Sequence, residues 1–393
     1  MSTGRRRPHA GLGTWFVRRS PDDTAGVLSP AATAAVVLAL VLVVSLSIRS
    51  VADATGGGPE TATAQVPRRP LPSAPVTLAF GGDVHFERWL AAAVRDDPTG
   101  ALATLTPLLG DADLAVVNLE TAVTDRGTPA AKEHTFRAPA DGLTALASAG
   151  VDVVSIANNH GMDYGPEGLI DTLRTARHAG LTLVGGGRDD VEAYRPHIAE
   201  IHGRRVAIVA ATQVLDSSTV ATWTARADQP GLASAKPDED GLARLLAAVH
   251  QAARDADTVA VMLHWGREKD ECPLPAQTEL AAQLRAAGAD IIVGGHAHRL
   301  AGGGRLGDAV VHYGLGNLVF YARQGPATAS GVLAVTIAPD GDTTVVWRPA
   351  VLRDGVAAPV GDDDHDAAVA GWEQLRACTD LTAEPAAAPA PRS

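Results

Sequence analysis

The sequence predicts an α/β fold with a mixed sheet system. Three observations carry that expectation: short β-branched apolar runs bounded by turns, helical-period segments between several of them, and a late alternating stretch around a Pro-Asp-Gly-Asp turn. The first run is "VTLAFGGD" at 76–83, followed by "DLAVVNLE" at 113–120 and "VDVVSIANNH" at 151–160. The segment 165–180, "GPEGLIDTLRTARHAG", repeats its apolar residues at helical spacing and ends in glycine, the usual C-terminal stop. "VAIVAATQV" (206–214) reads as a strand, 240–256 as a helix, "VAVMLHWG" (259–266) as a strand, 275–288 as a helix and "DIIVGGHAH" (290–298) as a strand. The alternation of 331–352 about its turn predicts an antiparallel hairpin.

The 393-residue chain is 46% hydrophobic and 20% charged, enough to bury a large core. Its formal charge of −12 argues against a nucleic-acid partner, whose phosphates would be repelled. Basic residues cluster only at the start, where Arg5, Arg6, Arg7, Arg18 and Arg19 precede the uncharged run Ala31 to Ile48. That run approaches the roughly 20 apolar residues a membrane-spanning helix needs. The arginines should stay in the cytoplasm, placing the later domain outside the cell at the membrane. A cleaved signal peptide is the rival reading, with "VADA" at 51–54 as the cleavage pattern, but the run exceeds the ~7–15 residues of a signal-peptide core.

The expected organisation is therefore a basic N-terminus (1–29), a membrane anchor (30–49), a Gly/Pro/Thr-rich linker (50–75), one domain (76–355) and a C-terminal extension with an Ala/Pro-rich tail (356–393). Two cysteines, Cys272 and Cys378, match no thiolate metal spacing. Sequence leaves their pairing open, because spacing says nothing of the distance between their Cα atoms.

Five apolar runs end in polar residues able to bind a metal: Asp83 with His85, Asn118 with Glu120, Asn158 to His160, His264, and His296 with His298. Ligands of α/β sheets collect outside the carboxyl ends of strands, so these groups are expected to converge. Each alone has a plainer reading, such as a turn residue or a hydrogen-bonded structural histidine. Five coincidences at strand ends point to one shared site. Oxygen and imidazole donors without thiolate suit one or two divalent ions, with Mn, Fe, Zn and Mg all open.

The ordered set "GGDVHF", "DLAVVNLETAVTD", "TFRAPA", "VVSIANNHGMDYGPEGL", "LVGGGR", "LHWGRE", "GADIIVGGHAH" and "YGLGNLVF" resembles the CapA family of poly-γ-glutamate capsule synthesis proteins, a branch of the calcineurin-like metallophosphatases. The likeness runs from about Val76 to Phe320. It implies an αββα sandwich of two mixed sheets flanked by helices, in the bacterial envelope. By position it implies Asp83, His85, Glu120, Asn159, His264, His296 and His298 as metal ligands and His160 as the group acting on the reacting centre. Asp163 and Glu268 match features of the CapA branch, with orienting or substrate-binding roles. Arg137 and Arg299 are candidates for holding an anionic phosphate or carboxylate, with a solvated surface as the alternative.

"NLE" stands where phosphoesterases carry Gly-Asp, "NNHGMD" where they carry Gly-Asn-His-Asp/Glu, and Ala297 where a proline is more usual. The first two departures bear on whether two ions are held at a bridging distance. Two function classes follow. One is a metal-dependent, phosphoesterase-like hydrolase in capsule or poly-γ-glutamate biosynthesis, with metal-bound hydroxide as nucleophile, acting on a phosphoester or an anionic envelope polymer. The other is a non-catalytic envelope factor guiding such a polymer beside a polyglutamate synthase complex.

Overall fold

The computed structural model describes residues 72–383. The expected N-terminus, membrane anchor and most of the linker lie outside the described residues, as does the end of the tail. Among the described residues no helix is long and apolar enough to cross a membrane.

The elements that build the domain are β1 (Val76–Val84), α1 (Trp89–Asp96), β2 (Leu114–Leu119), α2 (Asp141–Ser148), β3 (Val153–Ser155), α3 (Gly165–His178), β4 (Thr182–Val184), β5 (His197–Ile201) and β6 (Arg204–Thr212). There follow α4 (Gly241–Asp255), β7 (Thr258–His264), α5 (Pro275–Ala286), β8 (Ile291–Gly295), β9 (Gly303–Leu306), β10 (Ala309–His312), β11 (Asn317–Val319), β12 (Ala329–Ile337), β13 (Thr343–Arg353), β14 (Val356–Pro359) and α6 (Asp362–Gln374). Two-residue strands and shorter helical turns connect them.

Two mixed sheets result. The first has eight strands in the order β11-β14-β13-β12-β1-β2-β3-β4, and the second has six in the order β9-β10-β8-β7-β6-β5. Strands β1 to β4 run parallel, as do β6, β7, β8 and β10. The 331–352 hairpin forms as β12 and β13 in antiparallel register. Past residue 355 the chain stays in the fold, because β14 pairs with both β13 and β11.

Strand alternation sorts the core into layers, since successive side chains point to opposite faces. Leu78, Phe80, Leu114 and Val116 of the first sheet share one apolar cluster with Val206, Ile208, Met262, Ile291 and Val293 of the second. The intervening Ala79, Ala115 and Val117 face Leu90, Leu143, Leu146 and Leu169 of the helices on the first sheet. Val209, Val261 and Ile292 pack against Leu245, Val249, Leu280 and Leu284 on the second. Helix, sheet, sheet and helix layers are thus held by three apolar interfaces, each fully buried Leu, Val or Ile contributing about 1.5–3 kcal/mol relative to exposure.

Several elements lack a sequence expectation, among them α1, α2, α6, β4, β5, β9, β10, β11 and β14. The short strands among them are too brief to display a period of two. The run 151–160 is strand only over Val153–Ser155. The Asn158 side chain accepts from His160 N at 3.0 Å, and this local turn takes the chain out of the sheet. The two cysteines are joined, with Cα atoms 5.6 Å apart, tying the loop after β7 to the segment after α6.

Candidate metal centre

The inward row of each central strand changes chemistry at its C-terminal end. In β2, Leu114 and Val116 give way to Asn118 and then Glu120. In β7, Ala260 and Met262 give way to His264. Beside them Asp83 is the penultimate residue of β1, and β8 runs into His296. Because the parallel strands end together, the polar groups meet between the two sheets, and Asp83, His85, Glu120 and His264 are all essentially inaccessible to solvent.

Asp83 is the hub. Its Oδ1 accepts from Asn118 Nδ2 at 2.9 Å and its Oδ2 from His296 N at 2.9 Å. His298 Nδ1 lies 3.4 Å from the same Oδ2 and His264 Nδ1 3.9 Å from Oδ1. Burial alone would raise the Asp83 pKa. The His298 hydrogen bond and the charges of His264 and His298, with the His296 N–H, outweigh burial and hold the carboxyl well below its ordinary range.

Two glycines make this packing possible. A Cβ at Gly295 would stand 2.4 Å from Asp83 Oδ1, and one at Gly82 would stand 2.0 Å from Gly316 O. Only the absence of a side chain lets these backbones approach.

Two triads offer ligand atoms within 4.8 Å of one another: Glu120 with His264 and His296, and Asp83 with Glu120 and His298. Glu120 is common to both. Neither of its oxygens has a hydrogen-bond partner among the described residues. His264 Nε2 is 3.2 Å from Glu120 Oε1 but pairs with Asn159 Oδ1 at 2.8 Å, while its Nδ1 takes a hydrogen from Asn118 Nδ2 at 3.1 Å. Burial, then the Asp83 charge, push the Glu120 pKa up to about 8. His296 Nδ1 and His85 Nε2 are likewise buried without partners.

Such orphaned donors would cost folding free energy unless something satisfied them, and a divalent cation does so for carboxylate and imidazole together. The residues present therefore fit a metal. Burial lowers the pKa of His85, of His264 to about 4, and of His296, which keeps their ring nitrogens available as neutral ligands. Burial also opposes the His298 imidazolium, but Glu120 and Asp83 outweigh it and raise that pKa.

His296 and His298 adopt φ of 93° and 51°. Positive φ is strained for residues other than glycine, and such strain concentrates at functional sites. Asn317 Oδ1 pairs with His298 Nδ1 at 2.9 Å and orients the ring.

His85 belongs to neither triad. Its ring lies among Phe136, Phe320 and Tyr321, with centroids at 4.8, 4.1 and 4.7 Å.

A cleft opens over this floor, lined in part by Lys132, Asn159, His160, Trp223, Glu268 and His296 and enclosing about 290 Å³. His160 Nδ1 is 2.6 Å from Asp163 Oδ2, and its ring stacks on Phe136 at 3.9 Å. Glu268 sits exposed at the lip.

The two arginine candidates lie elsewhere. Arg137 stacks over Tyr164 at 3.7 Å, and Arg299 lines a separate, largely apolar cavity of about 280 Å³ with Trp347 and Trp372. Three contributors escaped sequence reasoning: Asn317, Phe136 and Lys132. The Asn in "GLGN" could have been flagged as another polar strand end; nothing local marks Lys132.

Residues 77–322 match the model of the bacterial capsule synthesis protein family PGA_cap. The capsule biosynthesis protein CapA of Bacillus anthracis is 30% identical over 290 residues, covering 72% of this chain and 69% of that one. The PGA biosynthesis protein CapA of Bacillus subtilis (strain 168) is 27% identical over 292 residues, covering 73% of this chain and 74% of that one. A family match over more than half the chain places it: the protein belongs to the bacterial capsule synthesis protein family.

Proposed function

We propose that this protein is a metal-dependent, phosphoesterase-like hydrolase of capsule or poly-γ-glutamate biosynthesis, anchored at the membrane by the apolar run 31–48 with its domain outside. The observation that carries this reading is Glu120, a buried carboxylate without a hydrogen-bond donor on either oxygen among the described residues, common to two ligand triads beneath a cleft. Asp83, Glu120, Asn159, His264, His296 and His298 would hold the ion or ions. A divalent cation there supplies an activated water and draws charge from an attacked phosphoryl or carbonyl oxygen.

The chain's own groups do the rest. Asp163 accepts from His160 Nδ1, leaving Nε2 as the nitrogen turned to substrate. From that nitrogen His160 delivers a proton to the leaving group. Phe136, stacked on the imidazole, limits its rotation. The substrate class is a phosphoester or a γ-linked glutamyl polymer of the envelope, in keeping with the names of the Bacillus relatives.

The test is turnover. Full-length protein supplied with Mn²⁺ should hydrolyse a generic phosphomonoester, a phosphodiester or poly-γ-glutamate, and His160→Ala should lose this activity while keeping its metal. Folded, metal-loaded protein inert on all three would favour instead a factor that guides an anionic polymer.

A further inference from the structure

The cleft contains a cation that the reading above leaves without a task. Lys132 is the only lysine or arginine among the cleft-lining residues, and its side chain is 21% exposed. Its ammonium lies 2.6 Å from Asp163 Oδ1, donates to Asn159 O, and stands 3.3 Å from His160 Nδ1. One side chain thus touches the proposed proton donor, the group that orients it, and the backbone of a proposed ligand.

The segment around Lys132 converges on the same turn. Ala130 N donates to Asp163 O at 2.8 Å, Phe136 N donates to Asp163 Oδ2 at 2.6 Å, and the Phe136 ring covers His160. Asp163 is completely buried, so without a counter-charge its carboxylate would be costly. Oδ2 serves His160 and Phe136 N, while Oδ1 faces Lys132 alone among the described residues. From its other side Lys132 approaches the Trp223 ring on the cleft wall, 5.3 Å to the centroid.

We infer that Lys132 is a positioning residue: it fixes the Asp163 carboxylate, and through it the His160 ring, against the turn that carries Asn159. An unclamped Asp163 has a choice of rotamers, and His160 then loses the single orientation that aims Nε2 into the cleft. The inference deepens the proposed function and rests on it for the role of His160, while the geometry of the clamp stands apart from turnover.

Two measurements on the full-length, metal-loaded protein test it. The first is the rate at which diethyl pyrocarbonate modifies His160, followed by mass spectrometry. Lys132→Met should raise that rate at least threefold while other histidines change little, and Lys132→Arg should restore it. The second is kinetic, with Lys132→Met lowering kcat tenfold or more, leaving KM within about twofold and metal content unchanged, and Lys132→Arg recovering most of the loss.

Because Lys132→Met strands the buried Asp163 charge, Lys132→Met with Asp163→Asn serves as the folded control and should show the same released His160. An unaltered His160 modification rate in both variants overturns the inference. Absence of turnover in the unmodified protein would overturn the proposed function instead, leaving the modification result to decide the clamp.

Discussion

Two regions of this protein bury imidazole, and they do so to different ends. At the strand tips, His85, His264, His296 and His298 lie beside Asp83 and Glu120. Elsewhere His312 packs beside Trp347 and Trp372, with ring centroids 5.1 and 5.8 Å away, and its Nε2 accepts from Trp372 Nε1 at 2.8 Å. Burial depresses the basicity of a histidine in each region, that of His312 to about 3 and that of His264 to about 4. Among the described residues both regions also leave a ring nitrogen without a hydrogen-bond partner, at His312 Nδ1 and His296 Nδ1. Neither burial nor an orphaned nitrogen therefore marks a metal site. Buried carboxylates close to the ring do, because only they offer negative charge that a cation can neutralise.

The largest effect expected from that distinction is on the ion itself. Glu120→Ala should abolish divalent-metal retention at micromolar concentrations, measured by elemental analysis after dialysis, whereas His312→Phe should retain a full complement. Equal loss in the two variants would erase the contrast.

Next comes the covalent link between the regions, since the disulfide joins the loop after β7 to the segment following the helix that carries Trp372. Replacing Cys272 and Cys378 with serine opens a closure spanning 106 residues. Chain entropy then predicts a loss of about 5 kcal/mol in urea unfolding, with metal content unaffected. A midpoint unchanged in denaturant would show that the link constrains neither region.

A smaller effect is expected one step out from the ligands. Asn317→Ala removes the partner of His298 Nδ1 and should weaken metal affinity by about 10- to 100-fold in calorimetric titration. Undiminished affinity would mean that Asp83 alone orients that ring.

The smallest effect is a slope. Since the folded pKa of His312 lies near 3, against an ordinary 6.5, the unfolded chain takes up a proton in that window that the folded chain refuses. Its contribution to stability is complete above pH 6.5 and declines as pH falls toward 3, by at most about 1.4 kcal/mol per pH unit. His312→Phe should flatten the stability difference between pH 7 and pH 4. An unaltered slope would show that His312 is protonated beside its two indoles.

The strand ends were legible in sequence because each combined a short, continuous apolar run with a polar terminus. Asp83, Glu120, Asn159, His264, His296 and His298 do meet, as did the expected alternation of sheet and helix. The arginines show the opposite. Arg137 and Arg299 offered only a charge near a motif, and their direction is set by Tyr164 and by the Trp-lined cavity. Lys132 sits in a polar stretch without periodicity, so its convergence on Asp163 and His160 had no local signal.

Taken alone, the sequence determined which segments are buried and which polar groups follow them, because burial leaves an apolar pattern on the chain and polarity breaks it. Tertiary structure decided everything that depends on distance between remote segments. It made Glu120 common to two triads, let Gly295 admit the Asp83 carboxylate, paired Cys272 with Cys378, and brought Lys132 to Asp163. The physical reason is that periodicity is a property of neighbours along the chain, whereas a binding site is a property of neighbours in space.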